Sequence, residues 1–174
     1  MHEPDEAAEA AGRLEEFARE LNEPQYQVVA QSCLARLALL KGELAPAVEW
    51  ARSFRAELAP MALFLWTEVP WVTQARVLIA AGSEEGLAQA SALLAAIRRQ
   101  SEEYHFASQV IEVSVLHALA LEKQGRVDEA RGALEESVAL ARPGGWIRPS
   151  RLRRPPGPGW PGSRRWGIVA RWRT

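Results

Sequence analysis

Three glycines, Gly42, Gly82 and Gly125, each close a stretch of apolar helical sequence, and they stand 40 and 43 residues apart. The stretches are "CLARLALLKG", "VTQARVLIAAG" and "VLHALALEKQG". Seven residues before each glycine is an alanine (Ala35, Ala75, Ala118), and four before it is an apolar residue (Ala38, Leu78, Leu121). A second helical stretch follows each glycine, with Ala47 and Ala130 five residues on and Ala88 six on. A glycine can end a helix in the left-handed conformation that other residues resist. Small residues on both sides of such a turn let the two helices cross closely. A recurrence of about 40 residues is the mark of stacked helical hairpins, in which each unit buries its apolar face only against its neighbours.

Helix signals run through the chain as far as Ala141. Apolar residues at helical spacing predict helices over 24–42, 45–58, 70–81, 84–100, 105–124 and 127–141, with an Ala-rich one near 5–21. Pro24 suits a first helical position, where its missing N–H is no loss. Asp128 and Glu129 lie in a first turn, where the helix dipole favours anions. Pro143, Gly144 and Gly145 stop the last helix. The expectation is an all-α helical-repeat solenoid of antiparallel hairpins over residues 1–148.

Past Pro149 the composition changes. Arg, Pro, Gly and Trp make up 19 of the last 26 residues, which hold seven arginines and no acid. The formal charge of the whole chain is −1, so a tail of +7 leaves −8 on residues 1–148. An acidic body repels phosphate backbones, and non-specific affinity for nucleic acid would have to reside in the tail. Pro/Gly spacing of this kind predicts a disordered tail over 149–174. All four abundant residues have GC-rich codons, which is the composition of a GC-rich gene read out of frame. A basic tail with interleaved aromatics, gripping nucleic acid, is the competing reading.

The phrases "LARLALLKGELAPAVEWAR", "VPWVTQARVLIAAG" and "VIEVSVLHALALEKQGRVDEARGALEESVALARPGGWIR" resemble the tetratricopeptide-like sensor region of the MalT-like, LuxR-family ATP-dependent transcriptional regulators. The closest likeness is over Gln74–Gly82, Val115–Leu121 and Ala130–Arg148, and the resemblance covers residues 25–148. It implies a tetratricopeptide-like fold and a sensing role. Such regulators also carry an ATPase before the repeats and a helix-turn-helix after them. Here there is no G-x-x-x-x-G-K-[ST]; the nearest glycine pair, Gly82 and Gly86, has no lysine after it and belongs to a hairpin turn. Nothing after Pro149 suits a recognition helix, so this chain is expected to be the sensor fragment alone, with no specific DNA contact of its own.

No constellation for catalysis stands out, and the chain is expected not to be an enzyme and to need no cofactor. His105 and His117, placed on one helix, would be separated by roughly 18 Å of rise, too far to share a metal. Cys33 has no neighbouring histidine and reads as a small packing residue. The lone cysteine and the acidic N-terminus fit a cytoplasmic protein, and charged residues interrupt every apolar run before it reaches membrane-spanning length.

A binding surface is better supported. First helices of stacked hairpins line the concave face, and six residues before the glycines stand Arg36, Arg76 and Leu119. Two arginines from successive repeats can clamp a carboxylate or phosphate, or Arg76 can pair with Glu112 on the next first helix. The stretch "FLWTEVPW" puts Phe64, Trp66 and Trp71 near the mouth of the second hairpin, where they can stack on a ligand or fill a seam between repeats. The candidate ligand-binding set is therefore Arg36, Arg76, Trp66, Trp71 and Glu112. The partner is a small-molecule inducer or a protein or peptide in the groove, and self-association is open to such a module. A freestanding scaffold for a peptide or partner protein is the alternative function. If residues 149–174 bury no apolar surface, deleting them leaves the melting temperature of the remaining chain unchanged within error, which a thermal scan of both forms checks.

Overall fold

The computed structural model describes residues 3–55 and 69–142, and these form seven α-helices and no strand. In chain order they are α1 (Glu3–Glu20), α2 (Pro24–Lys41), α3 (Leu44–Ser53), α4 (Pro70–Ala81), α5 (Glu84–Glu103), α6 (Ala107–Lys123) and α7 (Val127–Ala141). Three antiparallel hairpins result: α2 with α3, α4 with α5, and α6 with α7. The first helices touch in succession, α2 with α4 and α4 with α6, and form one layer. Each second helix packs on its own partner and on the first helix of the next hairpin, α3 on α4 and α5 on α6. The helix α1 packs on α2 in the same way. This is the tetratricopeptide-like stack expected from the repeat. The sequence-predicted tail, Phe64 and Trp66 lie outside the described residues.

All three turn glycines are left-handed, with φ of 81°, 70° and 79° at Gly42, Gly82 and Gly125. Two of the turns are the same in detail. Gly42 N donates to Leu39 O at 3.1 Å and Glu43 N to Ala38 O at 2.8 Å; Gly125 N donates to Glu122 O at 3.0 Å and Arg126 N to Leu121 O at 2.9 Å. Both are Schellman motifs, which satisfy the last carbonyls of the helix. Gly82 makes the simpler single bond, to Leu78 O at 3.1 Å. The difference follows from Ser83, which is extended and caps α5 by accepting from Gly86 N at 3.2 Å.

The crossing positions are buried as the offsets require. Ala35, Ala75 and Ala118 are buried on the first helices, and Ala47 and Ala130 on the second. The second hairpin departs from the expected register. Ala88 is exposed, and the residue five after Gly82, Leu87, takes the buried place. The small residue that permits the approach is Gly86, where an added Cβ would lie 2.7 Å from the Ser83 hydroxyl and 3.6 Å from Leu78 O. A leucine at the crossing is accommodated because its neighbour has no side chain. The main core runs from Phe54, at the end of α3, through the second hairpin to the third, and includes Ala75 and Ile79 of α4, Leu94 and Ile97 of α5, and Val113 and Ala120 of α6.

Helix boundaries differ from expectation in two informative places. The helix α3 ends at Ser53 rather than near 58, because Phe54 turns extended (φ −68°, ψ 118°) and buries its ring against Trp50 and Trp71. The helix α6 begins at Ala107, and His105 is a turn residue with φ 59°. The two histidines are therefore not on one helix. In the third hairpin Ala118 packs with Leu121 and Ala130. Ala118→Leu overpacks that crossing and is expected to cost about 1–3 kcal/mol, read from the denaturant midpoint at unchanged slope.

Candidate functional site

Arg76 follows the crossing alanine of α4 by one residue, and its guanidinium points along the first-helix layer toward α6. Its Nη2 donates to Glu112 Oε1 at 2.5 Å, joining two successive first helices. The arginine side chain is 22% exposed and the glutamate 42%, so solvent reaches both ends of the pair. A pair this open contributes about 0–1 kcal/mol to stability. The same position on α2 is Arg36, which is exposed, and on α6 it is Leu119, which packs against the main core. The layer thus carries arginines at one register on two successive first helices, the second of them bound to a carboxylate of the third.

Trp71 is only 8% exposed and lies in the main core, with its ring edge-on to Phe54 at 5.9 Å. Phe54 in turn stacks on Trp50 at 5.2 Å. These three rings fill the seam between the first two hairpins, so Trp71 holds the repeats together and offers no open face to a ligand. Two further residues, not singled out by the sequence, do related work. Gln74 is buried on α4 and its Nε2 donates to Ala51 O at 2.9 Å and Phe54 O at 3.4 Å, capping α3 from the next hairpin. Lys123, in the last turn of α6, donates from Nζ to Ile79 O at 2.7 Å and caps α4. Lysine in a last turn is a known preference, but here the carbonyl it serves belongs to a different helix.

The second-helix layer has its own cross-repeat contact. Arg98 of α5 holds Glu136 of α7 through both terminal nitrogens, at 3.0 and 2.5 Å, and Glu102 through Nε at 2.8 Å. The bidentate bond from Arg98 keeps the Glu136 carboxyl below its ordinary range. Among the described residues no group of three or more His, Cys, Asp or Glu side chains could hold a metal ion. No described helix is long and apolar enough to cross a membrane.

A family model described as the MalT-like TPR region matches residues 2–149. The chain belongs to that family. The match takes in α1, which the resemblance in sequence did not reach, and it ends where the composition changes. Neither the curated proteins nor the solved structures return a match. Among the described members of the candidate set in this MalT-like repeat region, Arg36, Arg76 and Glu112 on the first-helix layer reach solvent and Trp71 does not.

The histidine of α6 also departs from its ordinary value in a way that bears on stability. His117, half-buried on α6, has its pKa lowered by burial first and then by Arg126 and Arg98, with Glu129 opposing. The folded chain therefore holds fewer protons on this imidazole than the unfolded chain near and below its ordinary value of about 6.5. Stability is complete above that value and falls as pH drops through the window between the two. Replacing His117 with Gln is expected to remove that part of the acid-side loss, so the melting temperature changes less between pH 7 and pH 5.5 than in the unaltered chain.

Proposed function

We propose that this chain is the effector-sensing or protein-docking repeat module of a bacterial MalT-like, LuxR-family transcriptional regulator, working in the cytoplasm. On this reading it catalyses nothing, and ATP hydrolysis and DNA contact belong to other parts of such a regulator. The observation that carries the proposal is the pair of arginines at one register on successive first helices, one of them poised on a carboxylate. Glu112 holds the Arg76 guanidinium in place without burying it. An anionic group arriving in the groove can take over those donors, with the Arg36 charge adding to its attraction. Since Arg76 and Glu112 belong to different hairpins, that exchange changes what holds α4 to α6. Binding is thereby coupled to the spacing of repeats, which is what a sensor needs. A protein partner with an acidic segment satisfies the same chemistry as a small carboxylate or phosphate ester.

The test is a thermal-shift screen of the purified chain against sugar phosphates, nucleotides and dicarboxylates, followed by calorimetry on any hit. Arg36→Ala and Arg76→Ala are expected to weaken the hit roughly tenfold or more, the loss of a charge-assisted contact, while shifting the melting temperature of the free chain little. If either variant loses stability and keeps its affinity, the arginines are structural members of the stack. If no anion binds, the docking of a protein or peptide, as on a freestanding scaffold, becomes the better reading.

A further inference from the structure

The helix α1 carries an open face that its counterpart inside the stack has covered. The register between α1 and α5 is set by their C-terminal turns. Asn22 and His105 are both left-handed, with φ of 52° and 59°. They are 83 residues apart, the same separation as Gly42 and Gly125. The turns share two hydrogen bonds: Leu21 N to Phe17 O and Asn22 N to Arg19 O at 3.1 Å each match Tyr104 N to Gln100 O and His105 N to Glu102 O, also at 3.1 Å each. At this offset Ala11 and Ala18 of α1 match Leu94 and Ser101 of α5, and all four are buried. Ala7 and Leu14 match Ala90 and Ile97, and here the helices part. Ala90 and Ile97 are 0% exposed, Leu14 is 37% exposed and Ala7 is exposed. Phe17, which matches the half-buried Gln100, is 56% exposed.

The cause lies in the neighbours. The helix α5 packs on the following first helix, α6, and on its own partner, α4, whereas α1 packs on α2. The positions buried in α5 and open in α1 are therefore those that a partner like α4 covers. Leu21 and its counterpart Tyr104 are equally exposed at 43%, so this position does not distinguish the two helices. What remains is an apolar stripe of Ala7, Ala10, Leu14 and Phe17, spaced along one side of the helix. Glu6, Glu9 and Glu20 border it, with Arg13 already tied to Glu9 at 3.2 Å. Residues 3–20 hold seven carboxylates and two arginines.

We infer that this face docks an amphipathic helix of a partner protein, one that takes the place α4 has beside α5. The occupant presents aliphatic and small side chains at i, i+3 and i+7, as α4 does with Val72, Ala75 and Ile79, and carries lysine or arginine along the edge that meets Glu6 and Glu20. A second copy of α1 fits poorly, because it would set two strongly acidic helices face to face.

The probe is a fluorescein-labelled peptide of residues 69–82, the chain's own α4 sequence, with Ala80→Lys and Ala81→Lys at two exposed positions. Saturable binding to the full chain by fluorescence anisotropy is expected, weakening as salt rises. Leu14→Glu and Phe17→Glu should each reduce affinity roughly tenfold or more, with helix content by circular dichroism unchanged. Leu140→Glu, an exposed leucine on α7, should leave it unchanged. Absence of saturable binding, or binding that ignores Leu14→Glu, overturns the inference. So does a chain that sediments as a dimer and becomes monomeric on Leu14→Glu, since a second copy is then the occupant.

Discussion

The close crossing of two helices after a left-handed glycine is the constraint on which the stack depends. At Gly42 and Gly125 the turn reverses the chain so abruptly that the next helix meets the first within five residues. Only small side chains fit there, and Ala35 with Ala47 and Ala118 with Ala130 are all buried. The second hairpin meets the same demand differently. Its second helix brings Leu87 into the crossing, and Gly86 beside it leaves the space that Leu78 and the Ser83 cap occupy. A Cβ at that position would strike the capping hydroxyl, so the cap and the crossing are one arrangement. Larger aliphatic residues such as Leu94, Ile97 and Val113 then fill the wider gaps between hairpins. The spacing of repeats is in this way decided at the turns and only filled by the core.

The seams between repeats use polar groups to finish helices that the turns leave incomplete. Phe54 ends α3 early, and two of the carbonyls near that end accept from Gln74 on the next first helix. Lys123 does the same for Ile79 O at the end of α4, reaching back from the third hairpin. A carbonyl buried without a donor costs about 1–3 kcal/mol, so each cap ties the end of one helix to the presence of another hairpin. Single repeats lack such donors. The dependence of neighbour on neighbour is therefore polar as well as apolar.

The hairpin turns and the buried alanines were legible in the sequence because they are local: a glycine, its offsets and a helical period specify them without knowing the fold. The Arg76–Glu112 pair was legible at one remove, since aligning the glycines placed both residues on neighbouring first helices. Ala88 was misplaced because counting alanines ignores the possibility that a glycine and a leucine exchange roles at the crossing. Trp71, in the first turn of α4, suits either a groove or a seam by its position in sequence, and its place in the seam follows from the early end of α3, which no propensity signals. Gln74 and Lys123 act on carbonyls 23 and 44 residues away, so nothing in their own surroundings announces them. The open side of α1 has no local signal in the sequence, because it differs from α5 only in which helices lie beside it.

The second and third hairpins are held together in both layers at once. Arg76 reaches from α4 to Glu112 in the first-helix layer, and Arg98 from α5 to Glu136 in the second. The second clamp is the stronger of the two, because it is bidentate and shared with Glu102, which holds the guanidinium from its own helix. Loosening Arg76 alone therefore frees one side of the seam while the other stays closed. Two stacked hairpins fastened on one layer and released on the other can pivot and need not separate. The apolar core between them, from Ile79 to Val113, is contiguous and opposes separation far more than a small rotation. On the proposed sensing reading, a ligand that competes with Glu112 acts on the curvature of the stack at little cost in its stability, and curvature is the property by which a helical-repeat module presents its surface to a partner.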